Sequence, residues 1–221
     1  MIATTGADAT VRIFDTSTRR QLRVLRGHSP GGFGTYPVAW SPDGARLLSM
    51  AADGTRIWDA RTGQQLLALP PFGGPGASAV WGPDGGQVLL ESGLGPDARD
   101  ASTGKGLRTL EAGAASSDME FSRDGSRLAN TTVDERGFAL RLWDWPAGVE
   151  TLNLRDSGFR VALSPDGRLV ATVRPRQPEP FVHVWALDPE LLLRIARSRV
   201  TRSLTEEECR RYLQRSCRES G

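Results

Sequence analysis

A four-residue turn motif recurs along the 221-residue chain at a nearly constant spacing. The closing glycines of successive copies lie 41, 40 and 42 residues apart. In every copy an aspartate hydrogen-bonds to its own backbone and a glycine tolerates a positive φ, and in three copies a proline fixes φ, so each copy predicts a tight turn. A repeat of this length indicates an architecture built from similar small units. The four copies cover residues 41–44, 82–85, 122–125 and 164–167.

Short apolar runs and further turn signals fill the sequence between these motifs. In the second unit, we predict four strands over residues 36–40, 46–51, 55–58 and 65–69. Four short antiparallel strands in about 41 residues, with evenly spaced turns, are typical of one blade of a β-propeller. A pair formed by an aromatic residue and an acid ends the third run of several units. The pairs are Phe14-Asp15, Trp58-Asp59 and Trp143-Asp144, whereas Arg99-Asp100 and Trp185-Ala186 each keep only half of it.

These units resemble the WD-repeat family of β-propellers. Gly27-His28 lies where that family has its Gly-His pair, and Trp58-Asp59 and Trp143-Asp144 lie at its Trp-Asp pair. The resemblance covers residues 1–187 and implies an all-β fold. Enzyme-associated propellers of the translocation-protein and oligopeptidase types share the Ser-Pro-Asp-Gly turn, but the Gly-His and Trp-Asp pairs favour the WD-repeat family.

The resemblance also implies a structural role for residues at these positions. In WD repeats, a histidine, a serine or threonine, an aspartate and a tryptophan are linked by buried hydrogen bonds that hold a blade together. Ala51 stands at the hydroxyl position here, so we expect only a partial network. The structural blade residues expected on these grounds are His28, Asp53, Trp58, Asp59, Trp143, Asp144 and Trp185.

The predicted strands make three full four-stranded blades and two incomplete ones. Propellers typically close four to eight blades into a ring, and closure removes exposed sheet edges. We therefore expect a partial propeller that forms an open arc or closes poorly, as the C-terminal part of a longer propeller. A gene fragment without independent function is an alternative. The predicted blades cover residues 1–25, 36–69, 77–110, 118–154 and 158–187.

The sequence changes character after residue 187, and we predict a short helical tail over residues 188–221. An N-cap aspartate, a proline and a glutamate open a first helix that should end near residue 199. A capping box formed by Thr205 and Glu208 opens a second helix. The residues that open the first helix are Asp188, Pro189 and Glu190.

This tail resembles the segment that ends many bacterial multidomain WD-repeat proteins, among them signal-transducing NTPases. The resemblance implies that the chain is the C-terminal portion of a larger bacterial signalling protein whose effector domain lies upstream. Cys209 stands where that segment usually has a tryptophan. The matching residues are 187–191, 204–208, 212–213 and Cys217.

The sequence predicts no catalytic, cofactor-binding or metal site. Gly104-Lys105-Gly106 lacks the leading glycine and the hydroxyl residue of a phosphate-binding loop, so we interpret it as a hairpin turn. The two cysteines and two histidines lack the close spacing of a zinc site. We therefore expect no enzyme. The alternative is a substrate-gating propeller of a hydrolase, which would need convergent acids, a metal or a nucleophile in a pocket.

Composition argues against several partners. The formal net charge is +2, which is too small to indicate nucleic acid by itself. No apolar run approaches the roughly 18 residues of a membrane span, and no secretory signal is visible at the first residues. Because two cysteines cannot staple a fold of this size, a reduced, cytoplasmic setting is the simpler interpretation.

The remaining hypothesis is a non-enzymatic module that binds proteins. Propellers present a rigid rim of loops, and binding residues concentrate on such loops. We therefore predict an interaction scaffold or sensor with protein partners, and neither nucleic acid nor membrane. Exposed aromatic and arginine side chains are the usual anchors of interfaces. The candidate interaction residues are Phe33, Tyr36, Phe72, Arg136, Arg174 and Arg176.

Overall fold

The computed structural model describes residues 1–29, 38–71, 78–174 and 181–199. These residues form eighteen short β-strands and one α-helix. The first nine strands are β1 (Ile2–Thr5), β2 (Thr10–Phe14), β3 (Gln21–Arg26), β4 (Val38–Trp40), β5 (Arg46–Ala51), β6 (Gly54–Asp59), β7 (Gln65–Leu69), β8 (Ala79–Trp81) and β9 (Gln87–Ser92). The others are β10 (Gly95–Asp100), β11 (Gly106–Thr109), β12 (Ala115–Phe121), β13 (Arg127–Asp134), β14 (Gly137–Asp144), β15 (Val149–Arg155), β16 (Arg160–Leu163), β17 (Leu169–Arg174) and β18 (Phe181–Ala186).

The strands form five separate sheets, each made of strands that follow one another in the chain. Three of them have four strands: blade 2 (β4–β7), blade 3 (β8–β11) and blade 4 (β12–β15). The first and last sheets have three: blade 1 (β1–β3) and blade 5 (β16–β18). This arrangement confirms the predicted fold class, an all-β partial propeller with three full and two incomplete blades.

The recurring turn motif builds its own hydrogen bonds. Ser41 Oγ donates to Asp43 Oδ1 at 2.5 Å and accepts the backbone N–H of Arg46 at 2.9 Å. Asp43 Oδ1 also accepts the N–H of Ala45 at 3.0 Å. A serine and an aspartate two residues later therefore lock the turn from inside. The same bonds recur at residues 122–127 and 164–169.

A second turn, between the second and third strands, requires glycine. Gly54 has a φ of +121°, and a Cβ on it would lie 2.1 Å from the carbonyl oxygen of Leu69. Gly95 repeats this in blade 3, with the oxygen of Leu110 at 2.2 Å. Only a residue without a side chain lets the outer strand end this close to the hairpin.

The apolar core lies between successive blades. Leu48 and Ile57 of blade 2 pack in one cluster with Val88 and Leu90 of blade 3. Neighbouring residues of a strand point to opposite faces, so a sheet that lies between two others can pack on both sides. We call the side of a blade that packs on the next blade in the chain its forward face, and the opposite side its backward face. The equivalent clusters join blades 1 and 2, and blades 3 and 4.

The α-helix, α1 (Pro189–Arg199), confirms the predicted first helix of the tail. Its N-cap is Asp188, whose Oδ1 accepts the N–H of Glu190 at 2.8 Å. The chain divides into two compact units between Trp185 and Ala186. The predicted second helix, with Cys209 and Cys217, lies outside the described residues.

Candidate functional site

The hairpins between second and third strands lie at one end of the blades, together with the segments that lead into the blades. In blade 2, the N–H of Ser29 donates to Asp53 Oδ2 of the hairpin at 2.9 Å. In blade 3, the N–H of Glu91 donates to the carbonyl oxygen of Ser78 at 3.1 Å. We call this end the loop end. It comprises the described hairpins 6–9, 52–53, 93–94 and 135–136 and the segments beside them.

Four side chains form a continuous hydrogen-bond network at the loop end of blade 2. His28 Nδ1 lies 2.7 Å from Asp53 Oδ1, and His28 Nε2 lies 2.8 Å from Ser49 Oγ. Trp58 Nε1 donates to the same hydroxyl oxygen at 2.8 Å. The expectation of a partial network was therefore wrong. Ser49, and not Ala51, supplies the hydroxyl group.

The hydrogen positions follow from the partners. The Asp53 carboxylate can only accept, so His28 Nδ1 carries the proton and Nε2 accepts the Ser49 hydroxyl proton. Burial works to raise the pKa of Asp53. Hydrogen bonds from His28, from Arg56 and from the N–H of Ser29 outweigh burial and lower that pKa to about 2. Asp53 is therefore ionised at neutral pH and ties the hairpin to the segment before the blade.

This network has the order of a nucleophile, a base and an orienting acid in Ser49, His28 and Asp53. Ser49 is 0% exposed, however, and its oxygen already accepts the indole N–H of Trp58. No substrate carbonyl could approach the hydroxyl. Residues 27–31 also read Gly-His-Ser-Pro-Gly, a spacing that alone would match a nucleophile elbow. Both nitrogens of His28 are engaged, so this histidine is not available as a base for Ser29.

Blades 4 and 5 contain variants of the network. In blade 4, Trp143 Nε1 donates to Asn130 Oδ1 at 2.7 Å, and Asn130 Nδ2 donates to Ser116 Oγ at 2.9 Å. In blade 5, Trp185 Nε1 donates to Thr172 Oγ1 at 3.3 Å. A polar residue on the second strand therefore accepts the indole N–H in each blade that has the tryptophan.

The aspartates of the aromatic–acid pairs have a different role. Asp59 Oδ1 accepts the N–H of Thr62 at 2.6 Å and its hydroxyl at 2.9 Å, which closes the turn into the outer strand. Asp100 does the same for Thr103 in blade 3, although its neighbour is Arg99. Asp144 is exposed, and its carbonyl oxygen accepts the N–H of Gly148 at 2.7 Å.

Most of the predicted interaction residues lie outside the part of the chain that the structure describes. Phe33, Tyr36, Phe72 and Arg176 lie outside the described residues, as does the side chain of Arg174 at the end of β17. The described candidate is Arg136, which is exposed at the tip of the β13–β14 hairpin. These assignments stay predictions.

The structure adds Leu94 to the loop end. Leu94 is at the tip of the β9–β10 hairpin and is 63% exposed. Its carbonyl oxygen accepts the N–H groups of Ala112 and Gly113 at 2.8 and 3.2 Å. The sequence signal was available, because Leu94 is an apolar residue between two glycines, Gly93 and Gly95.

A buried acid was not predicted either. Glu91 lies in β9, is 6% exposed, and its Oε2 accepts the N–H of Ser78 at 3.2 Å. Burial raises the pKa of Glu91 to about 7, against the opposing effect of that hydrogen bond. Glu91 therefore changes charge near neutral pH.

Two further carboxylates cap the backbone of a neighbouring blade. Glu120 Oε2 accepts the N–H of Leu163 at 2.7 Å, and Asp118 Oδ2 accepts that of Val161 at 3.1 Å. Both acceptors belong to β12, and both donors belong to β16. These side chains take the place of a partner strand at the exposed edge of β16. Burial raises the pKa of Glu120, and the charge of Asp118 adds to this.

Within the described ranges, no group of three or more His, Cys, Asp or Glu side chains is placed to hold a metal ion. In the same part of the chain, no helix has both the length and the apolar character needed to cross a membrane.

The fold defines the chain as a partial β-propeller whose blades resemble one another in their turns and strand order, and blades 2, 4 and 5 also share a hydrogen bond from a tryptophan to a polar residue of the second strand. No family model matches it. Part of the chain is similar to WD repeat-containing protein 1 of Rattus norvegicus, 35% identical over 69 residues, which are 31% of this chain and 11% of the relative. The protein of that name from Gallus gallus is 40% identical over 58 residues, 26% of this chain and 10% of the relative.

Coronin-7 of Mus musculus is 38% identical over 77 residues, which are 34% of this chain and 8% of the relative. The chain thus spans about a tenth of the length of the curated relatives it matches. These partial matches support a WD-repeat family for the chain.

Proposed function

We propose that this chain is a non-enzymatic scaffold that binds protein partners at the loop end of its blades. The observation that carries the proposal is a pair of rigid, exposed hairpin tips on neighbouring blades. Leu94 offers an apolar side chain on blade 3, and Arg136 offers a cation on blade 4. Arginine and exposed apolar side chains on a common surface are features of protein-binding sites.

Both hairpins are held in place by internal hydrogen bonds. Ser92 Oγ donates to the carbonyl oxygen of Gly95 at 2.5 Å, and Asp134 Oδ1 accepts the N–H of Arg136 at 2.8 Å. Asp134 Oδ2 also accepts from Arg155 Nη1 at 2.7 Å. A partner that docks here would not need to order these loops first, which lowers the entropic cost of binding.

The cellular context is part of the same proposal. The sequence of the tail favours a bacterial multidomain signalling protein in which this propeller senses a ligand or partner and restrains an upstream effector. The small net charge of +2 favours protein partners over nucleic acid. The low cysteine content favours the cytoplasm. The partial similarity to WD-repeat proteins supports the scaffold role in its general form.

The test is affinity capture from a lysate of the source cells. It compares a variant with two aspartates introduced at the loop end with a control variant that has two aspartates elsewhere. Leu94→Asp combined with Arg136→Asp alters the loop end. The control combines Leu107→Asp with Arg61→Asp, because these are an exposed leucine and an exposed arginine away from the loop end. We expect the same proteins with the unaltered chain and the control, and at least a tenfold smaller yield with the loop-end variant.

Two results would contradict the proposal. If the unaltered chain enriches no protein, the scaffold role is wrong. If both double variants retain the partner equally well, the partner binds elsewhere and the assignment of the loop end is wrong. Far-UV circular dichroism of each variant checks that the sheets still form.

A further inference from the structure

A buried carboxylic acid lies below the hairpin tip that presents Leu94. Glu91 of β9 pairs with Pro96 of β10, and one further pair of residues separates them from the tip. Glu91 is 6% exposed and lies on the forward face of blade 3, as Leu89 does in the core between blades 3 and 4. A titratable group is thus part of the structure that supports the Leu94 tip.

Two hydrogen bonds join Glu91 to the residue that enters blade 3. The N–H of Glu91 donates to the carbonyl oxygen of Ser78 at 3.1 Å, and the N–H of Ser78 donates to Glu91 Oε2 at 3.2 Å. Ser78 is itself buried and directly precedes β8. Because the second bond uses the carboxyl group, the protonation of one side chain affects how the loop end of blade 3 is held together.

Blade 2 makes a comparable link with an acid that is supported by a cation. Asp53 Oδ2 accepts the N–H of Ser29 and also accepts from Arg56 Nη2 at 2.7 Å. Within the described residues, no cation is paired with Glu91, and the N–H of Ser78 is the hydrogen-bond partner of its carboxyl group. The two blades therefore use the same kind of bond with different electrostatic support.

The charged side chains of blade 3 around Glu91 do not compensate for this. Asp97 of β10 pairs with Leu90 and so lies on the backward face, where it accepts from Arg99 Nε at 2.7 Å. Glu111, in the segment that leaves the blade, is exposed to solvent. Strand β8 contains no charged residue. The forward side of the hairpin therefore keeps its acid without a counter-ion from its own blade.

The charged groups of blade 4 also have partners of their own. Two ion pairs lie on the same face of blade 4 as Trp143, which packs against blade 3. The carboxylates of β12 accept N–H groups of β16 and so are directed at blade 5. The ion pairs are Arg141 with Glu150 and Arg155 with Asp134, and the carboxylates are those of Asp118 and Glu120.

Burial without a cation makes the ionised form of Glu91 unfavourable, because the carboxylate loses its water and gains one N–H in return. Burial raises the pKa of Glu91 to about 7, against an ordinary value of 4.5. As the pH rises through 7, the carboxylate regains its water only where the bond to Ser78 opens. The opened arrangement therefore becomes more populated as the pH rises.

We propose that Glu91 makes the loop end of blade 3 sensitive to pH, closed on Ser78 when the acid is protonated and opened when it is ionised. Opening releases one side of the hairpin that presents Leu94, so a partner bound there is held less tightly at higher pH. This effect on a partner rests on the proposed function of the loop end. The opening itself does not.

The test of the opening is amide hydrogen exchange of the full chain at pH 6 and pH 8, corrected for the intrinsic exchange rate at each pH. We expect the opening equilibrium that exposes the amides of Ser78 and Glu91 to be about tenfold larger at pH 8. Glu91→Gln keeps the size of the side chain and an acceptor, and should abolish this increase. The matched control is Glu111→Gln, which alters an exposed glutamate at the end of the same blade and should leave the increase intact.

Three results would overturn the pH-dependent opening. The first is an exchange that does not change with pH, and the second is a change that Glu91→Gln retains. The third is an equal increase in the β13 amides of blade 4, which would show that the opening is not confined to the loop end of blade 3. The carboxyl ¹³C shift of Glu91 against pH adds a measurement on the unaltered chain, and a midpoint at the ordinary 4.5 would contradict the proposal even if the variant fails to fold.

The test of the effect on a partner uses a lysate protein that the unaltered chain retains and the loop-end variant with Leu94→Asp and Arg136→Asp loses. We expect its affinity to be at least twofold lower at pH 8 than at pH 6, which corresponds to an open arrangement populated as much as the closed one. Glu91→Gln should bind it equally at both. If no such protein exists, the proposed function is wrong and the exchange experiment still decides the opening. Equal affinities of the unaltered chain at both pH values would overturn the effect on the partner alone.

Discussion

Blades 2 and 3 have the same architecture, but only blade 2 has a polar hydrogen-bond network in its interior. Each has four strands and a one-residue register shift before the turn into the outer strand, after Ile57 in one and after Ala98 in the other. Blade 2 contains the complete network around Ser49. Blade 3 contains none of it, because Leu90 and Arg99 stand where blade 2 has Ser49 and Trp58.

This difference shows that the interactions that form the sheet of a blade are not the ones that hold its loop end in place. Leu90 is fully buried and packs with Val88 against blade 2, so an aliphatic residue fills the place of the hydroxyl without disturbing the sheet. Arg99 Nε donates to Asp97 Oδ2 at 2.7 Å and thus keeps a local polar partner. The sheet is therefore specified by turns and apolar burial. The network adds a tether between the hairpin and the segment that enters the blade.

The largest expected effect is the loss of the buried tryptophan of blade 2. Trp58→Ala removes a fully buried side chain and should lower the free energy of unfolding by about 3–5 kcal/mol. Arg99→Ala is the matched change in blade 3 and should cost about 1 kcal/mol, because it removes a partly exposed ion pair. Urea unfolding followed by circular dichroism measures both. Equal losses would show that the two interiors contribute equally to the free energy of unfolding and would contradict this distinction between the blades.

The second prediction isolates the hydroxyl group of the network. Ser49→Ala leaves His28 Nε2 and Trp58 Nε1 buried without their partner, so we expect a loss of about 2 kcal/mol. Ser49→Thr keeps the hydroxyl, as Thr172 does at this position of blade 5, and should retain most of the stability. If the alanine and threonine variants unfold at the same urea concentration, the hydroxyl does not link the network.

The architecture was predictable because its signals are local. The aspartate and glycine of each turn act within a few residues, and the alternation of apolar residues marks the strands between them. The strands over residues 46–51 and 65–69 were predicted with the bounds that the structure shows.

Contacts that depend on register could not be predicted in the same way. Ser49 and Ala51 lie on the same face of β5, two residues apart, so the sequence alone did not decide which one meets the tryptophan. The pairing of Leu47 with Trp58 places Ser49 diagonally opposite the indole, within reach of its N–H. The burial of Glu91 could not be predicted either, because it depends on contacts with residues that are distant in sequence.

The third prediction uses Glu91, a polar feature that blade 3 has and blade 2 lacks. The pKa of Glu91 is about 7 in the folded chain against an ordinary value of 4.5, so the folded state binds more protons between these pH values. Stability must then fall as the pH rises through this window, by on the order of 1–2 kcal/mol. Glu91→Gln removes the titration, and its unfolding free energy should change less between pH 5 and pH 8 than that of the unaltered chain.

The control for this pH effect is an acid that titrates elsewhere. Asp124 of blade 4 has a pKa lowered to about 2, chiefly by the hydrogen bond from the Ser122 hydroxyl, so its contribution to stability is lost only as the pH falls below about 4. Asp124→Asn should therefore leave the change between pH 5 and pH 8 intact. If Glu91→Gln retains the full change as well, Glu91 is not its source.

The smallest expected effect concerns a hydroxyl in blade 2 outside the network. Thr55 Oγ1 is buried without a hydrogen-bond partner among the described residues, two positions before Ile57 on β6. Thr55→Val replaces this hydroxyl with a methyl group of similar volume, so the buried polar group that lacks a partner is removed at no cost in packing. We expect no loss and a gain of at most about 1 kcal/mol in urea unfolding. A loss as large as that of Ser49→Ala would mean that the hydroxyl of Thr55 contributes as much to stability as that of Ser49. It would contradict the distinction between the hydrogen-bond network and the rest of the sheet.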